Sequence, residues 1–135
     1  METDMADDMR KHGVFSWNEL MTTDVEGAKA FYTKLLGWTT EDKPMPEMGM
    51  TYTLVKVGDT PVAGIMPMPP EAGAMPSVWG SYVSVDDVDA SARKATELGG
   101  SIYKEPTDIP GVGRFCVVGD PQGAFLALIA FNTED

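Results

Sequence analysis

The sequence predicts an α+β fold made of two tandem βαβββ modules. Two echoes and one shared order of elements carry that reading. Asp24-Val25-Glu26-Gly27-Ala28 is echoed by Asp87-Val88-Asp89-Ala90-Ser91, 63 positions later, and at the same spacing Thr33 meets Thr96, Leu35 meets Leu98 and Gly37 meets Gly100. Val57-Gly58-Asp59 is echoed by Val118-Gly119-Asp120, 61 positions later. Around both echoes, strand-like and helix-like segments follow one another in the same order, as an internal duplication requires. Chance similarity among Asp, Val and Ala is the alternative, and it would have to reproduce both order and spacing.

Each module opens on a strand-like run, Phe15 to Met21 in the first and Gly80 to Val85 in the second. A helix follows. Asp24 and Asp87 suit its N-cap, because a carboxylate oxygen accepts from the free amides of the first turn. Glu26 and Asp89 add negative charge near the positive end of the helix dipole. Val25, Ala28, Tyr32, Leu35 and Leu36 recur at helical spacing, as do Val88, Ala92, Ala95 and Leu98, so each set predicts one buried face. Gly37 and Gly99-Gly100 stand where a helix end takes a left-handed residue. Three strands complete each module: Trp38 to Thr40, Met50 to Val57 and Val62 to Met66, then Ser101 to Tyr103, Gly113 to Val118 and Ala124 to Phe131. Gly58-Asp59 and Asp120-Pro121-Gln122-Gly123 supply turns. Pro67, Pro69, Pro70, Gly73 and Pro76 interrupt any regular structure between the modules. The resulting division is an acidic tail at 1–12, a first module at 13–66, a Pro/Met-rich linker at 67–78, a second module at 79–131 and a tail at 132–135.

Composition narrows the function. The 135 residues carry 10 Lys and Arg against 21 Asp and Glu, a formal net charge of −11, with one histidine and one cysteine. So acidic a chain lacks the basic footprint of a nucleic-acid or anionic-membrane binder. One cysteine makes no internal disulfide and no zinc ribbon or iron–sulfur site, and one histidine rules out a two-His-one-carboxylate iron site within one chain. The polar, acidic start is unlike a secretory leader, and no run approaches the roughly 18 apolar residues of a membrane span. The expectation is a soluble, cytoplasmic protein. A four-stranded sheet with one helix keeps one face bare, and two such faces curling together would form a cavity for a small ligand, within one chain or between two. Uncovered sheet surface and edges also predict a homodimer.

Three segments resemble a known family. They are Asp24 to Tyr32 running into Leu36-Gly37-Trp38, then Val85-Asp86-Asp87-Val88-Asp89-Ala90, and Asp120-Pro121-Gln122-Gly123-Ala124. Together they are similar to the vicinal oxygen chelate superfamily of glyoxalases, bleomycin-resistance proteins and ring-cleaving dioxygenases, over Gly13 to Phe131. The resemblance implies a curved mixed sheet around a cleft. It leaves the reaction open, because this superfamily hosts isomerases, dioxygenases, epimerases and pure binding proteins. In metal-dependent members the first strand of each module carries a histidine seven residues before the capping aspartate, and the last strand a glutamate. The matching positions here are Trp17, Gly80 and Ala127, with Gly64 as a looser fourth. An indole nitrogen only donates, and Gly and Ala bring no ligand atom. The expectation is therefore no metal and no cofactor.

Strand alternation selects other candidates. Phe15, Glu19 and Met21 should share the face of Trp17, and Tyr82 and Ser84 that of Gly80. Trp17 is either an aromatic wall for a ligand or a plug in the metal position. Glu19, the acidic residue of the first strand, is a candidate general base or acid if buried. Arg114, isolated in sequence from other cations, either grips a ligand carboxylate or phosphate or closes an ordinary salt bridge. Tyr52 and Tyr103 could also donate hydroxyls, but only Tyr82 has an alternation argument. Cys116, in an apolar strand, reads as a buried inert thiol. His12 reads as solvated. Met45, Met48, Met50, Met66, Met68 and Met75 suit an adaptable ligand lip, an interface or plastic packing.

The leading expectation is a metal-independent, dimeric small-molecule-binding protein with an aromatic cleft lined by Trp17, Met21, Gly80, Tyr82 and Arg114. The resemblance makes the acidic charge compatible with resistance-type members that sequester cationic drugs. One alternative is a glyoxalase-like lyase or isomerase with Glu19 as base and Tyr82 or Arg114 stabilising an enolate-like oxyanion. Another is a stress-related interaction protein with a vestigial cleft.

Overall fold

The computed structural model describes residues 9–70 and 75–132. The outer parts of both predicted tails, and the middle of the predicted linker, lie outside the described residues. The elements run β1 (Phe15–Thr22), α1 (Val25–Leu36), β2 (Thr39–Met45), β3 (Met50–Val57), β4 (Thr60–Pro67), β5 (Val78–Ser84), α2 (Val88–Glu97), β6 (Ser101–Ile109), β7 (Gly113–Gly119) and β8 (Phe125–Phe131), with a short 3-10 turn at Pro46–Met48. This is the βαβββ order twice. The chain divides into two compact units, Trp17–Gly80 and the residues up to Ser16 together with those from Ser81 on.

In the first unit the strands stand in the order β2-β3-β4-β1. β1 runs parallel to β4, while β2, β3 and β4 pair antiparallel. The helix makes the parallel return possible, since parallel strands need a crossover. Asp24 caps α1, its carboxylate accepting from the Gly27 amide at 2.9 Å, and Gly37 ends it in the left-handed region at φ 73°. The helix covers one sheet face through Val25, Ala28 and Tyr32, which pack on buried Leu20, Val55, Ala63 and Ile65. Val55 and Ile65 are fully buried.

The second unit repeats the plan as β5-β8-β7-β6, with β5 parallel to β8. Asp87 caps α2 by accepting from the Ala90 amide at 3.0 Å. Val88 and Ala92 pack with Val85 and Cys116. The Cys116 thiol is pushed up to about 11, first by burial and then by the negative charges of Asp89 and Glu105, so it stays protonated and unreactive at neutral pH. Chain leading into β1 attaches to this unit. The Gly13 amide donates to the Ser84 carbonyl, the Ser84 amide donates to the Val14 carbonyl, and the Ser84 hydroxyl donates to the Met9 carbonyl. His12 Nδ1 accepts from the Asp86 amide at 3.0 Å, while its side chain remains 58% exposed, in keeping with a solvated residue.

Three expectations are corrected. Leu35 and Leu36 do not join the buried face of α1, nor Leu98 that of α2; Leu35 is 60% exposed and Leu98 70%. Leu98 stands one residue beyond the end of α2, as its C-cap, and Leu35 and Leu36 are the last two residues of α1. β2 and β6 extend well beyond the predicted Thr40 and Tyr103, because charged and proline-containing edge strands do not read as strands. β5 begins at Val78 and ends at Ser84, so its predicted last residue, Val85, lies beyond it.

Candidate functional site

Strand register identifies what lies on the helix-free face of the first unit. Glu19 is paired with Gly64, Gly64 with Leu54, and Leu54 with Glu41, so one row crosses all four strands. In the adjacent row Met21 pairs with Met66 and Tyr52 with Lys43. Met45 pairs with Met50 one step further on the same face. Thr53, Val55 and Ile65 alternate to the helix side, where they are buried.

Three side chains on this face form one hydrogen-bonded chain. The Trp17 indole Nε1 donates to Tyr52 Oη at 2.8 Å, and Tyr52 Oη donates to Glu19 Oε1 at 2.8 Å. Glu19 is 8% exposed, so its carboxylate is held against a fixed donor. The Tyr52 phenol lies flat over Gly64; a Cβ built at Gly64 would overlap the phenol ring and its oxygen. Only glycine leaves the ring that place. Burial first, and the Glu19 carboxylate second, raise the Tyr52 phenol above its usual range, against a smaller opposing effect of the Trp17 donor.

The positions that the family resemblance assigns to metal ligands are thus occupied differently. Trp17 presents an N–H that is already donated, and Gly64 presents the underside of a phenol. Neither offers a lone pair to a metal ion. Ala127 is buried in β8 and pairs with Tyr82. Gly80 stands in β5 with open space above it, a Cβ there meeting only the Glu19 carbonyl at 4.0 Å. Among the described residues no three His, Cys, Asp or Glu side chains gather as metal ligands would.

The remaining candidates separate. Tyr82 leans toward Phe115, their rings 6.3 Å apart. Arg114 turns to two carboxylates of its own unit. Its Nε and Nη2 donate to Asp89 at 2.9 and 3.0 Å, and Nη1 donates to Asp108 at 3.0 Å. These bonds hold the Asp89 carboxyl below its usual range and the guanidinium above its own. Trp17, Glu19 and Met21 therefore share one face, as alternation predicts, whereas Arg114 is held by Asp89 and Asp108.

Tyr52 has a larger part than the sequence suggests. Near the Gly58-Asp59 turn, Val57 pairs with Thr60 and Lys56 with Pro61, a register that would set Thr53, not Leu54, opposite Gly64. A bulge between Val55 and Lys56 shifts the count by one and turns Tyr52 onto the Gly64 face. The signal available in sequence was a glycine inside the β4 strand, which marks a bulge or a close approach.

With this geometry in place, comparison with known proteins is informative. Residues 12–128 match the Glyoxalase/Bleomycin resistance protein/Dioxygenase superfamily. The chain belongs to this superfamily. CFP32 of Mycobacterium tuberculosis, whose name marks it provisionally as a glyoxylase, is 41% identical over 123 residues, covering 90% of this chain and 47% of that protein. The anthracycline biosynthesis protein DnrV of Streptomyces peucetius is 38% identical over 117 residues, covering 87% of this chain and 41% of that protein. The chain thus spans a little under half the length of these relatives. Among solved structures, BH1468 from Bacillus halodurans C-125 superimposes with a TM-score of 0.66 at 11% identity, over 93% of this chain and 99% of that one. Methylmalonyl-CoA epimerase from Mycobacterium tuberculosis gives 0.58 at 17% identity, over 92% and 93%. At these identities the likeness establishes the superfamily fold and no more. No helix among the described residues is long and apolar enough to cross a membrane.

The Tyr52 environment makes a spectroscopic prediction. One of the four tyrosines should resist ionisation when phenolate absorbance is followed into the alkaline range, and Tyr52→Phe should remove that late step. The sign follows from linkage. The folded state holds the proton more tightly than the unfolded chain, so this contribution to stability is complete below about pH 10 and is lost as pH rises beyond it. Four tyrosines ionising together in the folded protein would contradict the geometry.

Proposed function

We propose that this chain is a metal-independent small-molecule-binding protein that holds an organic ligand on the helix-free face of its first module. The hydrogen-bonded chain Trp17–Tyr52–Glu19, seated on Gly64, carries this reading. It supplies an aromatic surface and a buried, fixed acceptor where metal-dependent members place ligands. Met21, Met66, Met45 and Met50 extend the surface with half-buried thioethers, which adapt to irregular apolar ligands and contact aromatic rings favourably. Gly80, which falls in the same compact unit as Trp17 and Glu19, is proposed to leave room for that ligand, while Arg114 supports the second module through its ion pairs with Asp89 and Asp108. A relative named for anthracycline biosynthesis accords with an aromatic ligand. No metal or cofactor is needed for such binding, and the proposed setting is the cytoplasm.

Glu19 favours a second reading. A buried carboxylate oriented by a phenol can serve as a general base toward a carbon acid, and the proposed class is then a glyoxalase-like lyase or isomerase. The chain is also proposed to work as a homodimer. Phe31, Leu35 and Leu36 project from α1 and are more than half exposed, an apolar stripe that a protein partner would cover.

Each element has its check. Purified protein should carry far less than one metal ion per chain, and a chelator should leave its melting temperature unchanged; a stoichiometric metal lost with stability would overturn the proposal. Any isomerase or lyase activity found should fall by about 100-fold or more in Glu19→Gln, the range for a general base; full activity with a carboxamide at 19 removes that reading. Leu35→Asp should convert a dimer to a monomer in light scattering without loss of helical signal, whereas an unchanged mass shows that this stripe is not the contact.

A further inference from the structure

One end of the proposed ligand-binding face carries a charge that opposes the charge of the whole protein. The four strands of the first unit contain two cations, Lys43 and Lys56, and register puts both on the helix-free face. Lys43 pairs across from Tyr52, and Lys56 lies two residues beyond Leu54. Both reach the one carboxylate between them. Lys43 Nζ stands 3.0 Å from Glu41 Oε2, and Lys56 Nζ contacts Glu41 Oε1 at close ion-pair distance. These two hydrogen bonds, that of Lys56 before that of Lys43, hold the Glu41 carboxyl below its ordinary range. Two ammonium groups share one carboxylate, so the cluster keeps a net positive charge. The Lys56 side chain is 26% exposed, which leaves its charge incompletely solvated by water.

At the opposite end of the same row stands Glu19. Glu41, Leu54, Gly64 and Glu19 span three interstrand spacings, about 14 Å. Between the ends lie the Leu54 side chain and the Tyr52 ring over Gly64, with the methionines alongside. The face is therefore polarised: cationic at the β2–β3 edge, aromatic and thioether in the middle, acceptor at β1.

We infer that the ligand of this face is an aromatic anion, its carboxylate, sulfonate or similar group seated at Lys43 and Lys56 and its ring body over Tyr52 and Leu54. This rests on the binding reading above and deepens it by assigning the ligand's charge. A cationic ligand would meet the Lys–Glu–Lys cluster with the wrong sign, even though the whole protein carries −11. Local charge decides here because distant charges are screened beyond about 8–10 Å at ordinary ionic strength.

Two fluorescent probes test it: anilinonaphthalene sulfonate and N-phenylnaphthylamine, which share a ring system and differ in the sulfonate. Both should bind the wild-type chain, and Trp17→Phe should weaken both. The double variant Lys43→Met/Lys56→Met should weaken the sulfonate probe about tenfold, the sum of two partly exposed ion pairs, and change the neutral probe by less than about twofold. Glu41→Gln, which removes the competing carboxylate, should tighten the sulfonate probe alone, by about threefold. Added salt should weaken the sulfonate probe and spare the neutral one. If both probes bind but the lysine and Glu41 variants leave the sulfonate probe unmoved, the anion assignment is overturned and the face reading stands. If neither probe binds, or Trp17→Phe affects neither, the face reading fails and the assignment with it.

Discussion

Two parallel strands cannot be joined by a tight turn. That constraint shapes each module: β1 must lie beside β4, and β5 beside β8, with a helix and two further strands taken up between them. The parallel pair brings the first and last strands of a module into direct register, so residues 45 positions apart, Glu19 and Gly64, become neighbours. Likewise Tyr82 meets Ala127. The helix covers one face of the pair, and the candidate site lies on the other. Fold and site thus follow from one pairing, because the helix that permits the crossover also leaves one sheet face clear of helical cover.

The two modules share the plan and spend their glycines alike. In the first, the Tyr52 ring lies on Gly64; in the second, the Tyr103 ring lies on Gly119. An aromatic side chain over a strand glycine restores packing that the missing side chain forfeits, and helps pin register. The outcomes differ with surroundings. Tyr103 is largely exposed and leans on Phe125, ring centres 6.0 Å apart. Tyr52 is enclosed, and its hydroxyl is committed on both sides. The same device serves as surface packing in one module and as the centre of a polar chain in the other.

How much of this was legible in the sequence depends on the range of the interaction concerned. Asp24, Asp87 and Gly37 act within one helix, and the capping chemistry read from them is what the structure shows. The helix–strand order followed from the duplication. The partners of Arg114 were not legible as such, because Asp89 lies 25 residues away on a helix and reaches it only through packing. Leu35 and Leu98 had the right spacing for burial, but helical periodicity does not say which turns of a helix are covered, and Leu98 caps its helix instead of lying in it. Tyr52 was named and left without a face, since a single bulge in the β3–β4 hairpin reverses which residues look toward Gly64. A period-two pattern is only as good as its count, and an inserted residue is invisible until pairing is known.

One residue identity accounts for the polar chain. An imidazole at position 17 would offer a lone pair; an indole offers only a donor, so a half-buried Trp17 is best served by an acceptor. Tyr52 Oη is that acceptor, 2.8 Å away. Accepting from the indole turns the phenol's own proton outward, and it then needs an acceptor in turn, which Glu19 provides at 2.8 Å. The phenol can reach both only by lying across β4, where any side chain at 64 would block it. Trp17, Tyr52, Glu19 and Gly64 therefore form a single unit whose members require one another. Replacing any one strands a buried polar group or a ring, at a cost on the order of 1–3 kcal/mol for an unsatisfied partner. With these polar groups committed to one another, what the face presents outward is ring surface and thioether, flanked by the charges of its outer strands.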